Sequence, residues 1–518
     1  MTAKPTLFER VASSSPIWVR EMRQSARLAK TPWVLLSLTV TVSLVLASAG
    51  WMGSQSRARP AVVGSTLFQA FFTIATMVVA IVGPAIAANA VAAEREGRTW
   101  EALVLTGMSA RDVAVGKFLS AYSTLALYVV TLAPAGALAF LFGGVTATEV
   151  VLAFGILFVL AALAVGFGLA MSSLMPSLRG ALLTTLLGAA AIAPALGLVF
   201  GFGGSRVAHD MFRAVPAQTP IWLPLALTRA DFGPLYVVLL VLVPVGLVLV
   251  AGRFLYALTI ANLDEAGADP ASRLTRWFLS ATPAVLGLLA LPPALARSGR
   301  GELTVLSLGA LATFGYFGVL LFAREPVAPS RRTRRAWERD GASWLARGLG
   351  GGAVSKAALV ATTVTLSLVC LAWLGSRAAD ADHSPETSRM WVALAASYTI
   401  PFLGFTAGLM AWLRARGTST WVARAVSIAT VLGAFVGPWL VAALVAAVSG
   451  DPARTWMALA SPSPFYVATM CDAVSPYAGI DAARIHAGLV AELGWTFAAV
   501  GLFARAFVLA RQTEGQER

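Results

Sequence analysis

The closest approach to a nucleotide site is the run from Gly107 to Lys117. A phosphate loop needs four residues between its glycines and a Ser or Thr after its lysine, so that main-chain N–H groups cradle the phosphates and the hydroxyl holds magnesium. Here eight residues separate Gly107 from Gly116, and Phe118 follows the lysine. The chain therefore has no motif with which to hydrolyse nucleotide itself, and no cofactor or metal is expected in it. Cys370 and Cys471 cannot form a disulfide framework, and neither they nor His209, His383 and His486 have metal-ligand spacing. Asp472, Asp481 and His486 are a loose group on one loop, the best place for a membrane enzyme acting on lipid-linked substrates to find acid and base. Glu149, Glu492, Arg253 and Arg505 fall near span ends, where a charge ordinarily snorkels to the interface. No run of in-span carboxylates forms a proton relay, which counts against an ion-coupled secondary transporter.

Energy must then enter from outside the chain, and one stretch offers a handle. Ala93 to Lys117, AEREGRTWEALVLTGMSARDVAVGK, is a charged, helix-forming island between two long apolar runs. Glu94, Glu96, Glu101 and Asp112 balance Arg95, Arg98, Arg111 and Lys117. A segment held by anionic headgroups would be mostly Lys and Arg. A balanced amphipathic helix with Trp100, Leu103, Val104 and Leu105 among its charges suits docking on a protein, with the ionic residues on the rim and Trp100 and Leu103 in a cleft.

The elements that hold this island are membrane spans. With 58% hydrophobic and 12% charged residues, the chain is not soluble. The expected fold class is all-α: a polytopic membrane protein of twelve transmembrane helices with both termini cytoplasmic. The spans read as 33–53, 65–92, 117–142, 150–175, 180–200, 235–258, 277–296, 303–323, 357–375, 391–412, 425–449 and 489–510. The net charge of +14 falls mainly in alternate loops, so it sets orientation and does not imply nucleic acid. Residues 1–32 form a basic tail with an interfacial amphipathic helix, Ser15 as its N-cap and Pro16 at its first position. Ala47-Ser48-Ala49 imitates a signal-peptidase site, but the long segment before the apolar core favours an uncleaved anchor. Residues 201–234 are Gly- and Pro-rich and form a re-entrant outer loop, 259–276 a polar connector, 324–356 a basic cytoplasmic loop and 511–518 a tail. Pro84, Pro134, Pro194 and Pro244 are expected to kink their helices.

Arg98-Thr99-Trp100-Glu101 recurs as Arg335-Ala336-Trp337-Glu338, and Ala114-Val115-Gly116-Lys117 as Ala353-Val354-Ser355-Lys356. Arg179 matches Arg424, and Thr219-Pro220-Ile221-Trp222 echoes Ser463-Pro464-Phe465-Tyr466. All sit about 240 residues apart, so the chain reads as two tandem six-helix units, 33–258 and 277–510, in one orientation.

The run Glu94-x-x-Gly97-x-Thr99-Trp100-Glu101-x-Leu103-x-Leu105-Thr106-x-Met108-Ser109, closing on Val115-Gly116-Lys117, resembles the signature of type-two ABC exporter permeases. In that family it forms a cytoplasmic coupling helix between the second and third spans, here 94–117. Ser15-Pro16-Ile17 to Arg20-Glu21-Met22-Arg23 resembles the family's interfacial elbow helix, and Ser172-Ser173-Leu174 with Ser177 and Arg179 its turn between spans 4 and 5. The likeness covers residues 6–258 and is faint beyond. It implies a plasma-membrane permease without catalytic residues, driven by two cytosolic ABC ATPase subunits that carry the ATP and magnesium. Glu94, Glu96, Arg98, Thr99, Trp100, Glu101, Leu103 and Thr106 would be the docking residues, and Pro16, Trp18, Arg20, Glu21 and Arg23 the elbow. The permease would be one fused pseudo-dimer or a homodimer among membrane lipids.

Overall fold

The computed structural model describes residues 15–27, 30–55, 60–141, 143–175, 177–196, 238, 242–263, 270–296, 299–327, 335, 337–339, 341, 352–381, 384–449, 454–475 and 479–516. The expected re-entrant loop 201–234 and most of the basic loop 324–356 lie outside the described residues. The chain divides into two compact units, Met1–Trp277 and Phe278–Arg518.

The first unit holds α1 (Pro16–Arg27), α2 (Lys30–Gln55), α3 (Pro60–Glu96), α4 (Trp100–Leu105), α5 (Ala110–Thr131), α6 (Ala133–Leu141), α7 (Ala147–Leu174), α8 (Leu178–Leu196) and α9 (Val243–Leu263). Helix α10 (Pro270–Leu295) begins in this unit and continues into the second. There follow α11 (Arg300–Phe322), α12 (Ala353–Ala378), α13 (Pro385–Ala415), α14 (Thr420–Ser449), α15 (Tyr466–Asp472) and α16 (Ala482–Gln516). A two-residue antiparallel ladder pairs Val474 with Ile480 and Ser475 with Gly479.

Among the described residues, ten helices are long and apolar enough to cross a membrane. The remaining two expected spans, 33–53 and 180–200, coincide with helices α2 and α8. Large apolar side chains such as Leu44, Leu187, Leu366, Leu444 and Phe497 stand exposed along these helices. A water-soluble protein would not leave so much apolar surface open, and this is a multi-pass membrane protein.

Three boundaries differ from the sequence reading. The apolar run 117–142 is broken between α5 and α6, because Pro134 cannot donate to the carbonyl of Val130. The N–H of Leu132 turns back to the carbonyl of Val129 at 3.2 Å. Helix α9 begins at Val243, with Pro244 as its second residue and π-helical geometry at Leu242 just before it, a change of winding that accompanies helix kinks. The polar connector 259–276 is shorter than expected, since α9 runs to Leu263 and α10 starts at Pro270. Arg273 and Arg276 are helical as a result, and Trp277 packs on Phe254 with ring centroids 4.8 Å apart.

The fourth expected span of each unit has the same set of neighbours. Helix α7 packs against α3 and α5 before it and α8 and α9 after it; α13 packs against α11 and α12 before it and α14 and α16 after it. Aromatic contacts fill both interiors, with Phe72 against Phe154 at 5.5 Å and Phe405 against Trp495 at 4.6 Å. In lipid such packing, rather than escape from water, holds helices together, and small residues let backbones approach. Gly168 shows how closely. A Cβ built there would lie 2.3 Å from the carbonyl oxygen and 2.7 Å from the Cα of Pro84 on α3. Gly155, on the same helix, faces open space. Gly168→Ala is expected to cost about 1–3 kcal/mol by forcing α3 and α7 apart. Gly155→Ala is expected to be nearly neutral, and thermal unfolding in detergent compares the two.

Candidate docking site

The island between spans 2 and 3 is not one helix. Helix α3 ends at Glu96 in a reverse turn in which Thr99 N–H donates to the carbonyl of Glu94 at 2.9 Å and Arg98 N–H to that of Arg95 at 3.2 Å. These are the two bonds of a Schellman motif, whose left-handed residue is usually Gly. Here it is Arg98, at φ +56°. A left-handed Arg stores strain, and strained backbone gathers at functional positions. Arg98→Gly is therefore expected to raise thermal stability by about 0.5–1 kcal/mol while weakening whatever the arginine side chain binds. Thermal unfolding and partner binding measured on the same variant check both halves.

After this turn α4 makes a single short helix, and Ser109 restarts the chain as α5. Its hydroxyl accepts from Asp112 N–H at 3.2 Å, which satisfies a donor that the new helix would leave open. The break at 106–109 divides the charges that the sequence reading put on one helix face.

Trp100 is turned inward. It is 8% exposed, and the guanidinium of Arg95 lies 5.4 Å from its ring centroid, an attractive cation–π geometry. Trp100, expected to fill a partner's cleft, here anchors α4 to its own unit. Arg95 also donates to the carbonyl of Ser173 at 2.9 Å, at the C-terminal end of α7. Glu96 Oε2 accepts from Leu178 N–H at 2.9 Å and so caps α8. Asn262 of α9 donates to Ser173 Oγ at 3.1 Å. Ser172 is inserted in the ladder of α3, donating to the carbonyl of Ala88 and accepting from Val91 and Ala92 N–H at 3.1 and 3.0 Å. The ends of α3, α7, α8 and α9 thus meet at one corner.

Charge ties α1 to that corner. Lys117 is 2% exposed, and its Nζ lies 2.6 Å from Glu21 and 2.7 Å from Glu94. Arg20 adds a third pair to Glu94 at 3.1 Å from a largely exposed position. Trp18 Nε1 donates to Ser123 on α5, and Ile17 and Ser15 lie against Gly116, where a Cβ would come within 2.9 and 3.0 Å of them. The elbow is consequently clamped to α5. Ser15 does not act as the expected side-chain N-cap: its hydroxyl is buried without a hydrogen-bond partner. Pro16 and Arg23 face outward.

The eight sequence-chosen docking residues therefore separate. Glu94, Glu96 and Trp100 build the corner. Thr99 is exposed, with its hydroxyl donated to the carbonyl of Glu94 at 3.3 Å. Arg98, Glu101 and Thr106 are exposed, and Leu105 joins them at 85% exposure. Leu103 lies on α4, with its side chain outside the described set. The sequence reading missed the burial of Lys117, although Val113, Ala114, Ser120 and Ala121, three or four residues away on either side, share its buried face.

Elsewhere, Glu149 closes a capping box with Thr146 at the start of α7 and does not snorkel. Asp481 pairs with Arg484 at 3.1 Å, and His486 and Asp472 are exposed. Arg335 and Trp337–Arg339 are helical, and Lys356 is buried as Lys117 is.

No protein-family model, curated protein or solved structure matches this chain.

Proposed function

We propose that the chain is the membrane subunit of an ABC-type exporter in the cell membrane, moved by separate cytosolic ATPase subunits that engage α4. The observation that carries the reading is that α4 is anchored from beneath by Trp100 against Arg95, while Glu101 and Leu105 on it and Arg98 and Thr106 on the flanking turns face outward. A motor can move a bundle only through an element joined to the helices that must shift, and α4 packs on the end of α3, which is itself bonded to α7, α8, α1 and α5. Coupling also requires that the partner grip one conformation better than another. The proline-bearing α3, with Ser172 in its ladder, offers a place for that change.

In this reading both termini are cytoplasmic, the spans number twelve, and the two units are tandem six-helix repeats. The shared order of neighbours around α7 and α13 supports the repeat, as does the matched burial of Lys117 and Lys356. The fused form replaces a permease homodimer. Affinity purification in mild detergent tests this: one permease per two nucleotide-binding subunits is the expected stoichiometry, and two permeases per complex would discard the fused form.

A second reading has one observation in its favour. Glu492 of α16 is 8% exposed and accepts from Ser397 Oγ at 2.8 Å, and a buried in-span carboxylate suits an ion-coupled carrier. Transport that continues on ATP after ion gradients are collapsed excludes it.

A further inference from the structure

Helix α3 carries a second irregularity besides its proline. In a regular helix Ala92 N–H would donate to the carbonyl of Ala88, and Val91 N–H to that of Ala87. The Ser172 hydroxyl of α7 is inserted at that point. It donates to the Ala88 carbonyl at 2.6 Å and accepts from Val91 N–H at 3.1 Å and Ala92 N–H at 3.0 Å. A serine hydroxyl has one donor and two acceptor positions, so its whole bonding capacity is spent on the α3 backbone. Ser172, Ala88, Val91 and Ala92 are all fully buried. Pro84 does not account for the insertion. A proline there leaves the carbonyl of Ala80 without its helical donor, about two turns away from the groups that Ser172 serves.

Helix α7 meets α3 through Ala164, Gly168 and Ser172, four residues apart on one face. A Cβ on Gly83 would lie 2.9 Å from that of Ala164, and one on Gly168 would lie 2.9 Å from that of Ala87. These two contacts are apolar and form a pivot, whereas the third is a set of hydrogen bonds that can be exchanged. With the hydroxyl withdrawn, Ala92 N–H closes on the Ala88 carbonyl and Val91 N–H on that of Ala87. Those main-chain groups then stay paired within the span, as lipid requires. A side chain in the ladder is a recognised cause of helix kinks, and its removal lets the helix straighten. Glu94, Arg95 and Glu96 follow within about a turn, and α4 follows them, so a change of direction at 88–92 swings α4. We infer that Ser172 is a latch: seated in the α3 ladder it holds one direction of the last turn of α3, and withdrawn it releases another, with α4 carried along. Its use in transport rests on the proposed docking of an ATPase; the latch itself belongs to α3 and α7.

Hydrogen exchange of the purified full chain in detergent, read by mass spectrometry over residues 86–97, tests the latch on Ser172→Ala. A hydroxyl that competes with the helix's own bonds can be removed without loss. The variant should keep the parent's unfolding temperature and exchange about fivefold more slowly over 86–97, the weight of one net hydrogen bond. A merely structural hydroxyl gives the reverse: two N–H groups and a carbonyl lose their partner, the unfolding temperature falls and exchange quickens. That result, or exchange equal to the parent's, overturns the inference, as does failure of the variant to fold. Ser172→Cys keeps the side-chain volume while bonding weakly, and should repeat the slowed exchange. No ATPase takes part in this measurement, so its outcome is separate from that of the affinity purification that tests docking.

Discussion

Lys117→Met unfolds the corner that carries α4, at a cost of about 3–5 kcal/mol. The lysine is almost fully buried between Glu21 and Glu94, which are themselves 19% and 15% exposed. Removing its charge leaves two carboxylates facing one another with, among the described residues, the outer Arg20 to compensate, and an exposed pair of that kind contributes little. The expected result is loss of α1 from α5, read as rapid proteolysis near residues 15–27 and a large fall in unfolding temperature. The triple variant Lys117→Met, Glu21→Gln, Glu94→Gln should recover most of that loss, because a buried ion set exchanged as a whole is far less costly than one partner removed alone. If the single variant is as stable as the parent, the cluster does not hold the elbow. If the triple variant is no better than the single, lost packing and not unpaired charge is the cause.

Leu105→Asp has the opposite profile. Its side chain is 85% exposed, so the fold should be untouched and the unfolding temperature unchanged. Binding should suffer: an apolar anchor at the centre of a docking surface is typically worth 2 kcal/mol or more, about a thirtyfold loss of affinity. Glu101→Lys reverses a rim charge and should mainly slow association, with an effect that shrinks as salt rises. Trp100→Ala separates the site's two layers, since it should reduce stability and partner binding together. On the proposed reading these expectations are measured as the amount of ATPase subunit retained per chain after washing, with thermal unfolding measured on the same preparations. Full retention by Leu105→Asp would show that α4 is not the contact.

The spans were legible because a run of apolar residues long enough to cross a bilayer has few other uses. Their breaks were less so. Pro134 divides α5 from α6, whereas Pro84 lies inside an unbroken α3, and residue type alone does not reveal whether a proline will end its helix. Within the island, counting charges did not separate the residues that face outward from those that pack inward. Glu94 and Trp100 read as surface: the partner of Glu94 lies far away in sequence, at Lys117, and Trp100 turns back on Arg95 of α3. The ring of Trp100 could equally have filled a foreign cleft. What sequence does carry is the period of the buried face on α5, and that period includes Lys117. A lysine at such a position announces acidic partners, and Glu21 on the elbow was one of the few available.

Placement of a photo-crosslinking residue at position 105, followed by illumination in intact cells, tests the docking role of α4 most directly. The expected product is a single adduct to a cytosolic protein that carries nucleotide-binding motifs, diminished when Glu101→Lys is introduced alongside. Adducts confined to lipid, or to a protein on the outer side of the membrane, would contradict it.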